Sequence, residues 1–286
     1  MKRKTVEHSG FDCVESVGPW PFITRRIYQH RDGSKIVWHS REHRKQLVRN
    51  QLTEASKLFN FLWMPKKLNW WIGIIFAIGA LCFAVAGWLS LNPTLARSWS
   101  LDLKAVNTIF FIGSIPFTTA SYLQLYQSAN TEALPRGVVH NPKKTILFGW
   151  CPTDIGWLSC ILQFIGTIMF NVSTFNAMKL SLPWLLQDIL ICTPNLLGSI
   201  LFLISGYLAF IEVCHSYWAF KPRSISWWIG LSNLLGCIGF IISAGFAIVL
   251  PSVQNVIAAE LSLLFTVMGA LFFFVGAALM LPEAGA

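Results

Sequence analysis

Six stretches of this chain are apolar over a length that few soluble folds tolerate: residues 69 to 91, 105 to 127, 155 to 178, 195 to 218, 227 to 250 and 261 to 281. A helix of about 20 residues, rising 1.5 Å per residue, spans a hydrocarbon core of about 30 Å. Inside hydrocarbon every backbone N–H and C=O must be paired, which makes the helix the natural unit for runs of this length. The expected fold is an all-α membrane protein with six transmembrane helices. Composition agrees, because 54% of the 286 residues are hydrophobic and 12% are charged, against about 25% charged in soluble domains.

The charge is unevenly placed. Residues 1 to 67 hold 14 Lys/Arg against 6 Asp/Glu, and the remaining chain holds 8 against 7. A basic segment beside a membrane faces anionic lipid headgroups and the cytoplasm in preference to nucleic acid. With a cytoplasmic amino terminus, that side collects the first 14 cations together with Arg136, Lys143, Lys144, Lys221 and Arg223, while Arg97, Lys104 and Lys179 fall on the other. The positive-inside rule then places both termini in the cytoplasm, in a plasma or bacterial inner membrane. Within residues 1 to 67, Ile23 to Tyr28 and Ser34 to Trp38 flank Asp32-Gly33, a pair suited to a two-residue hairpin turn. From Ser40 the residues favour helix, with Leu47, Leu52, Ala55, Phe59 and Trp63 near one face and Arg44, Arg49 and Lys57 elsewhere, which reads as a basic amphipathic helix on the membrane or a solvated lead-in. Residues 68 to 286 are assigned to the bundle.

Each apolar stretch carries the same pattern of Gly, three residues, Phe, three residues and a small residue. The six copies are Gly79/Phe83/Gly87, Gly113/Phe117/Ser121, Gly166/Phe170/Thr174, Gly198/Phe202/Gly206, Gly236/Phe240/Ala244 and Gly269/Phe273/Ala277. Positions i, i+4 and i+8 share a helical face. Lipid supplies little hydrophobic force between helices, so small residues that let backbones approach are expected to form the packing seam, with phenylalanines lining a pore as the alternative. Seam glycines are 34, 32 and 33 residues apart within consecutive pairs of helices and 53 and 38 apart between pairs, which predicts three tandem two-helix hairpin repeats. Trp70-Trp71-Ile72-Gly73 and Trp227-Trp228-Ile229-Gly230 open the first and fifth stretches alike, and Gln127, Glu212 and Glu283 each follow a seam glycine by 14 residues.

The FIGS and IPFTTASYLQL strings of the second helix, the lead-in VWHSREHRK and the closing MGALFFFVGAALMLPE together resemble the YrhK-like family of integral membrane proteins. The resemblance covers the helical part and the lead-in, about 240 residues. It implies a membrane topology and brings no catalytic residue, because the family is defined by sequence without a settled activity.

Candidate functional residues are the polar ones that interrupt the apolar stretches. Gln124, Gln163, Glu212, His215 and Asn233 fall in the cytoplasmic half of the bilayer, and Asn171 in the other half with Asn107, Thr108, Ser173, Thr174 and Asn176. Such groups are costly unless paired, and they mark either interhelical hydrogen bonding or a solute path. The matching positions of Gln127 and Glu283 place Glu212 at the cytoplasmic interface, where a carboxylate reaches water. His39-Ser40-Arg41-Glu42-His43 has the HxxEH spacing of some zinc proteases, but adjoining Arg41, Arg44 and Lys45 disfavour a cation. Seven cysteines without a CxxC pair read as packing residues, and no nucleotide loop or nucleophile set stands out. The expected protein is not an enzyme and uses no cofactor or metal. Its partners are the bilayer, anionic headgroups at the amino-terminal region and, as an open option, further copies of itself. A small-solute or ion carrier or channel is the leading functional expectation, and a non-catalytic membrane scaffold or sensor the alternative.

Overall fold

A computed structural model of the chain describes residues 11–45, 47, 63–131, 146–248 and 256–285. Three strands come first: β1 (Phe11–Val17), β2 (Arg25–His30) and β3 (Lys35–His39), in one antiparallel sheet of order β1-β2-β3. The β2–β3 turn passes through Asp32 and Gly33. Gly33 takes φ +86°, which a side chain rarely adopts, and Asp32 Oδ1 accepts from the Ser34 amide at 2.8 Å. β1 pairs Phe11 with His30 and Val17 with Arg25, with a bulge between Cys13 and Glu15. Its alternation is too short and too polar to announce a strand, and the sequence reading assigned it none. The amphipathic helix expected beyond Leu47 lies outside the described residues.

β3 runs directly into a short helix, α1 (Ser40–Arg44). The remaining helices are α2 (Leu68–Leu91), α3 (Pro93–Ser98), α4 (Leu103–Ala129), α5 (Ile155–Ala177), α6 (Trp184–Gln187), α7 (Thr193–Cys214), α8 (Ile225–Phe246) and α9 (Val256–Gly285). Asp102 and Asp154 cap α4 and α5, accepting from the amides of Ala105 and Trp157 at 2.7 and 2.8 Å. A π-helical turn, Asp188–Cys192, joins α6 to α7, making Trp184–Cys214 one continuous apolar stretch. α7 stops four residues earlier than expected. His215 turns left-handed at φ 58°, and helical hydrogen bonding does not continue past such a residue.

Among the described residues five helical segments are long and apolar enough to cross a membrane: α2, α5, Trp184–Cys214, α8 and α9. The protein is thus predominantly helical, with the features of an integral, multi-pass membrane protein. α4 has 27 residues but a more polar sequence and does not belong to that set.

The six long helices close into a ring in chain order. α2 packs on α4, α4 on α5, α5 on α7, α7 on α8, α8 on α9 and α9 back on α2. The seam glycines meet within each pair. An added Cβ on Gly79 would lie 3.0 Å from the Gly113 carbonyl, one on Gly198 would lie 3.0 Å from that of Gly166, and one on Gly269 would lie 3.0 Å from that of Gly236. Backbones this close have no room for a side chain, which is why glycine occupies all six positions. The paired tryptophans also match: Trp71 donates to the Pro65 carbonyl at 3.0 Å and Trp228 to that of Pro222 at 2.9 Å.

The six seam phenylalanines converge in the middle of the ring. Phe83 lies edge-on to Phe117 at 5.4 Å, Phe170 lies 4.9 Å from Phe202, and Phe240 stacks on Phe273 at 5.4 Å. Further contacts, Phe83 to Phe240, Phe117 to Phe273, Phe170 to Phe240 and Phe202 to Phe273, link the three pairs into one layer. Edge-to-face and offset packing of this kind adds to the dispersion energy of the layer. The void among these rings is only about 10 Å³, and the two hydroxyls that line it, Ser114 and Thr167, donate to the carbonyls of Phe111 and Phe164.

Candidate functional site at the arm end of the ring

The sheet delivers Ser40–Lys45 into one mouth of the ring. Ser40 donates a backbone hydrogen bond to the Thr24 carbonyl, fixing α1 to β2 and β3. From there three cations reach the two carboxylates of the helical region that are most completely buried. Arg41 donates to Glu283 through Nη2 and Nε at 3.0 and 3.2 Å, and Lys45 Nζ donates to the same carboxylate at 2.6 Å. Ser226 of α8 adds a further hydrogen bond at 2.6 Å. Arg44 Nη2 donates to Glu212 at 2.5 Å, and the Ser40 hydroxyl donates to its other oxygen at 2.5 Å. Glu212 and Glu283 are 0% and 1% exposed. The expectation that they reach water at an interface is therefore corrected. The register of 14 residues from each seam glycine brings both to one end of the ring, but there the chain's own arginines replace solvent. Charge-assisted hydrogen bonds to every carboxylate oxygen make such burial tolerable.

Gly156 makes the Arg44 contact possible, since a Cβ there would overlap the guanidinium. Arg44 Nη1 donates to the Cys160 sulfur at 3.5 Å, while its Nε finds no hydrogen-bond acceptor. Burial is the largest influence and opposes the Arg44 charge, but Glu212, Cys160 and Asp154 together outweigh it and raise the guanidinium pKa further. Lys45 shifts the other way: burial, with repulsion from Arg41, lowers its pKa to about 8 despite the pull of Glu283.

Between this ionic layer and Phe273 lies a cavity of about 40 Å³. Its polar lining comes from Arg41, Arg44 and Lys45 of the amino-terminal segment, from Gln124, Gln163 and Asn233 of α4, α5 and α8, and from Ser159 of α5. Phe273 and Phe76 close it toward the aromatic layer.

The six expected site residues therefore part company. Gln124, Gln163 and Asn233 share the cavity. Glu212 stands behind it in the Arg44 pair. His215 lies beyond the end of α7, with its Nε2 3.1 Å from His39 Nδ1 and its Nδ1 3.0 Å from the Thr24 hydroxyl. Burial, assisted by Lys221 and His39, lowers its pKa to about 4. Asn171 belongs elsewhere: it donates to the Thr118 hydroxyl at 2.8 Å, and its carbonyl oxygen is buried without a partner.

Sequence reading missed Ser40, Arg41, Arg44 and Lys45, which it assigned to a lipid-facing or solvated lead-in helix. One signal could have found them. Two carboxylates in register within apolar helices require cations, and the nearest string with surplus cations is HSREHRK. Among the described residues no three of His, Cys, Asp and Glu converge as a metal site, and the HxxEH string is split, with His39 against His215 and His43 6.0 Å from the Trp38 ring. Compared with protein-family models, with curated proteins and with solved structures, the chain matches none.

Proposed function

We propose that the protein is a small-solute or ion conduit, carrier or channel, held closed by two barriers: the phenylalanine layer and the docked amino-terminal segment. The observation that carries this reading is the polar cavity between them. A bundle built only for packing has no use for three amides and three cations around one polar pocket. Hydrophobic constrictions close pores by excluding water, and rings of charge select what enters them.

The reading includes α4 as a sixth span. Its hydroxyls are absorbed by its own backbone, Thr118 donating to the Ser114 carbonyl, Thr119 to that of Ile115 and Ser121 to that of Phe117, so its polarity need not meet lipid. It also includes both termini in the cytoplasm, supported by the cation bias between loops, and an origin in three hairpin duplications, supported by the three matching glycine pairs. The resemblance to the YrhK-like family fits this topology.

The test is flux in reconstituted vesicles. Wild-type protein should conduct little. Phe117→Ala with Phe273→Ala, combined with removal of residues 1 to 45, should raise halide or alkali-cation flux at least tenfold. No rise for any small ion or neutral solute overturns the conduit reading. The dryness of the aromatic layer favours a second reading, a non-catalytic scaffold or sensor. On that reading, loss of residues 1 to 60 abolishes binding to a partner or to anionic vesicles while the bundle stays folded.

A further inference from the structure

We infer that the cavity under the amino-terminal segment is a binding site for one small monovalent anion, of the size of a halide or nitrate. Charge makes the first case. Among the described residues the buried charged groups are Arg41, Arg44, Lys45, Glu212 and Glu283, three cations against two carboxylates. The partly exposed Asp154 also acts on Arg44, but it sits at the outer edge as the cap of α5 and does not line the cavity. An uncompensated charge is expensive in a low-dielectric interior, and a counter-ion held beside it removes most of that cost.

The placement of the charges makes the second case. Both carboxylates lie behind their cations, so the wall of the cavity presents Arg41, Arg44 and Lys45 and no acid at all. The lining also holds Gln124, Gln163 and Asn233, whose carboxamides each carry two N–H donors that can turn to an anion. A cation is repelled by this lining. A neutral solute gains nothing from the excess charge.

Size fixes the class. A water needs about 10–15 Å³ of such volume, and the cavity offers about 40 Å³. That admits a halide or a planar four-atom oxyanion such as nitrate with a water or two, and it excludes phosphate esters and dicarboxylates. Lys45 is the residue that responds to occupancy. It holds the third charge, and an anion beside it offsets the burial and the Arg41 repulsion that weaken its protonation. The assignment rests on the conduit reading only in making this anion the cargo, since binding requires no flux.

The experiment compares thermal unfolding of the full chain, in detergent at pH 7 and fixed ionic strength, in sodium bromide and in sodium gluconate, which is too large to enter. Bromide is expected to raise the midpoint by about 2 °C or more relative to gluconate, with saturation. Lys45→Met removes the surplus charge and should lose this difference, while general salt effects persist in both proteins. Gln163→Leu keeps the charges, narrows the cavity and should at least halve the shift, which keeps the test open if Lys45→Met folds poorly. Equal bromide and gluconate responses in wild type and both variants overturn the site. Saturable bromide binding without halide flux in the opened variants keeps the site and overturns the conduit.

Discussion

Replacing Glu212 with leucine should release the amino-terminal segment from the ring. The carboxylate is fully buried, and its removal leaves Arg44, 6% exposed, donating to the Cys160 sulfur in place of a carboxylate. Breaking a buried pair from one side costs about 3–5 kcal/mol, because the remaining charge is stranded. The ring is held by its glycine seams and aromatic layer, so the less costly response is for Ser40–Lys45 to withdraw into water. Cys160 reports that event, since it lies under Arg44 and is 2% exposed. At about 1.4 kcal/mol per tenfold, the labelling rate of Cys160 by a water-soluble maleimide, followed on its peptide, should rise about 10²–10³-fold. The double variant Arg44→Met with Glu212→Leu replaces the pair by apolar groups of similar volume, a change that is often neutral, and it should label within about tenfold of wild type. If Glu212→Leu labels no faster than wild type, or if the double variant labels as fast as the single, the ion pair does not hold the segment in place.

Acid should also loosen the segment. His215 has its pKa depressed to about 4, so the withdrawn state, with an ordinary histidine, binds more protons between pH 4 and 6.5. Docking is therefore fully favoured above pH 6.5 and weakens as pH falls toward 4. The anisotropy of a dye on exposed Cys13 should fall over that window, and His215→Gln should abolish the change. Gly198→Ala drives a Cβ to 3.0 Å from the Gly166 carbonyl and 3.1 Å from Phe170, and should cost about 1–3 kcal/mol in a reversible unfolding assay. Gly245→Ala meets nothing within 4 Å and should be neutral or slightly stabilising in the same assay. A destabilising Gly245→Ala, or a silent Gly198→Ala, would contradict the close backbone approach.

Much of the architecture is legible in the chain by itself. Local length and hydropathy mark the helices, because a span is defined by its own residues and by lipid, not by distant partners. The six-fold glycine and phenylalanine spacing marks the packing face, since residues four apart share a face whatever the helix packs against. The same spacing groups the helices in pairs, and the paired glycines do approach each other.

What only tertiary structure decides is what those faces meet. That six phenylalanines form one dry layer depends on closure of the ring between α2 and α9, a contact between the first and last of the long helices. That Glu212 and Glu283 meet Arg44 and Arg41 depends on pairs separated by 168 and 242 residues. Charge in a sequence carries a sign but no partner, so a basic lead-in reads equally as lipid-facing or as a plug. Here the sheet of residues 11 to 39 carries that string into the mouth of the ring, where burial and two waiting carboxylates make the choice.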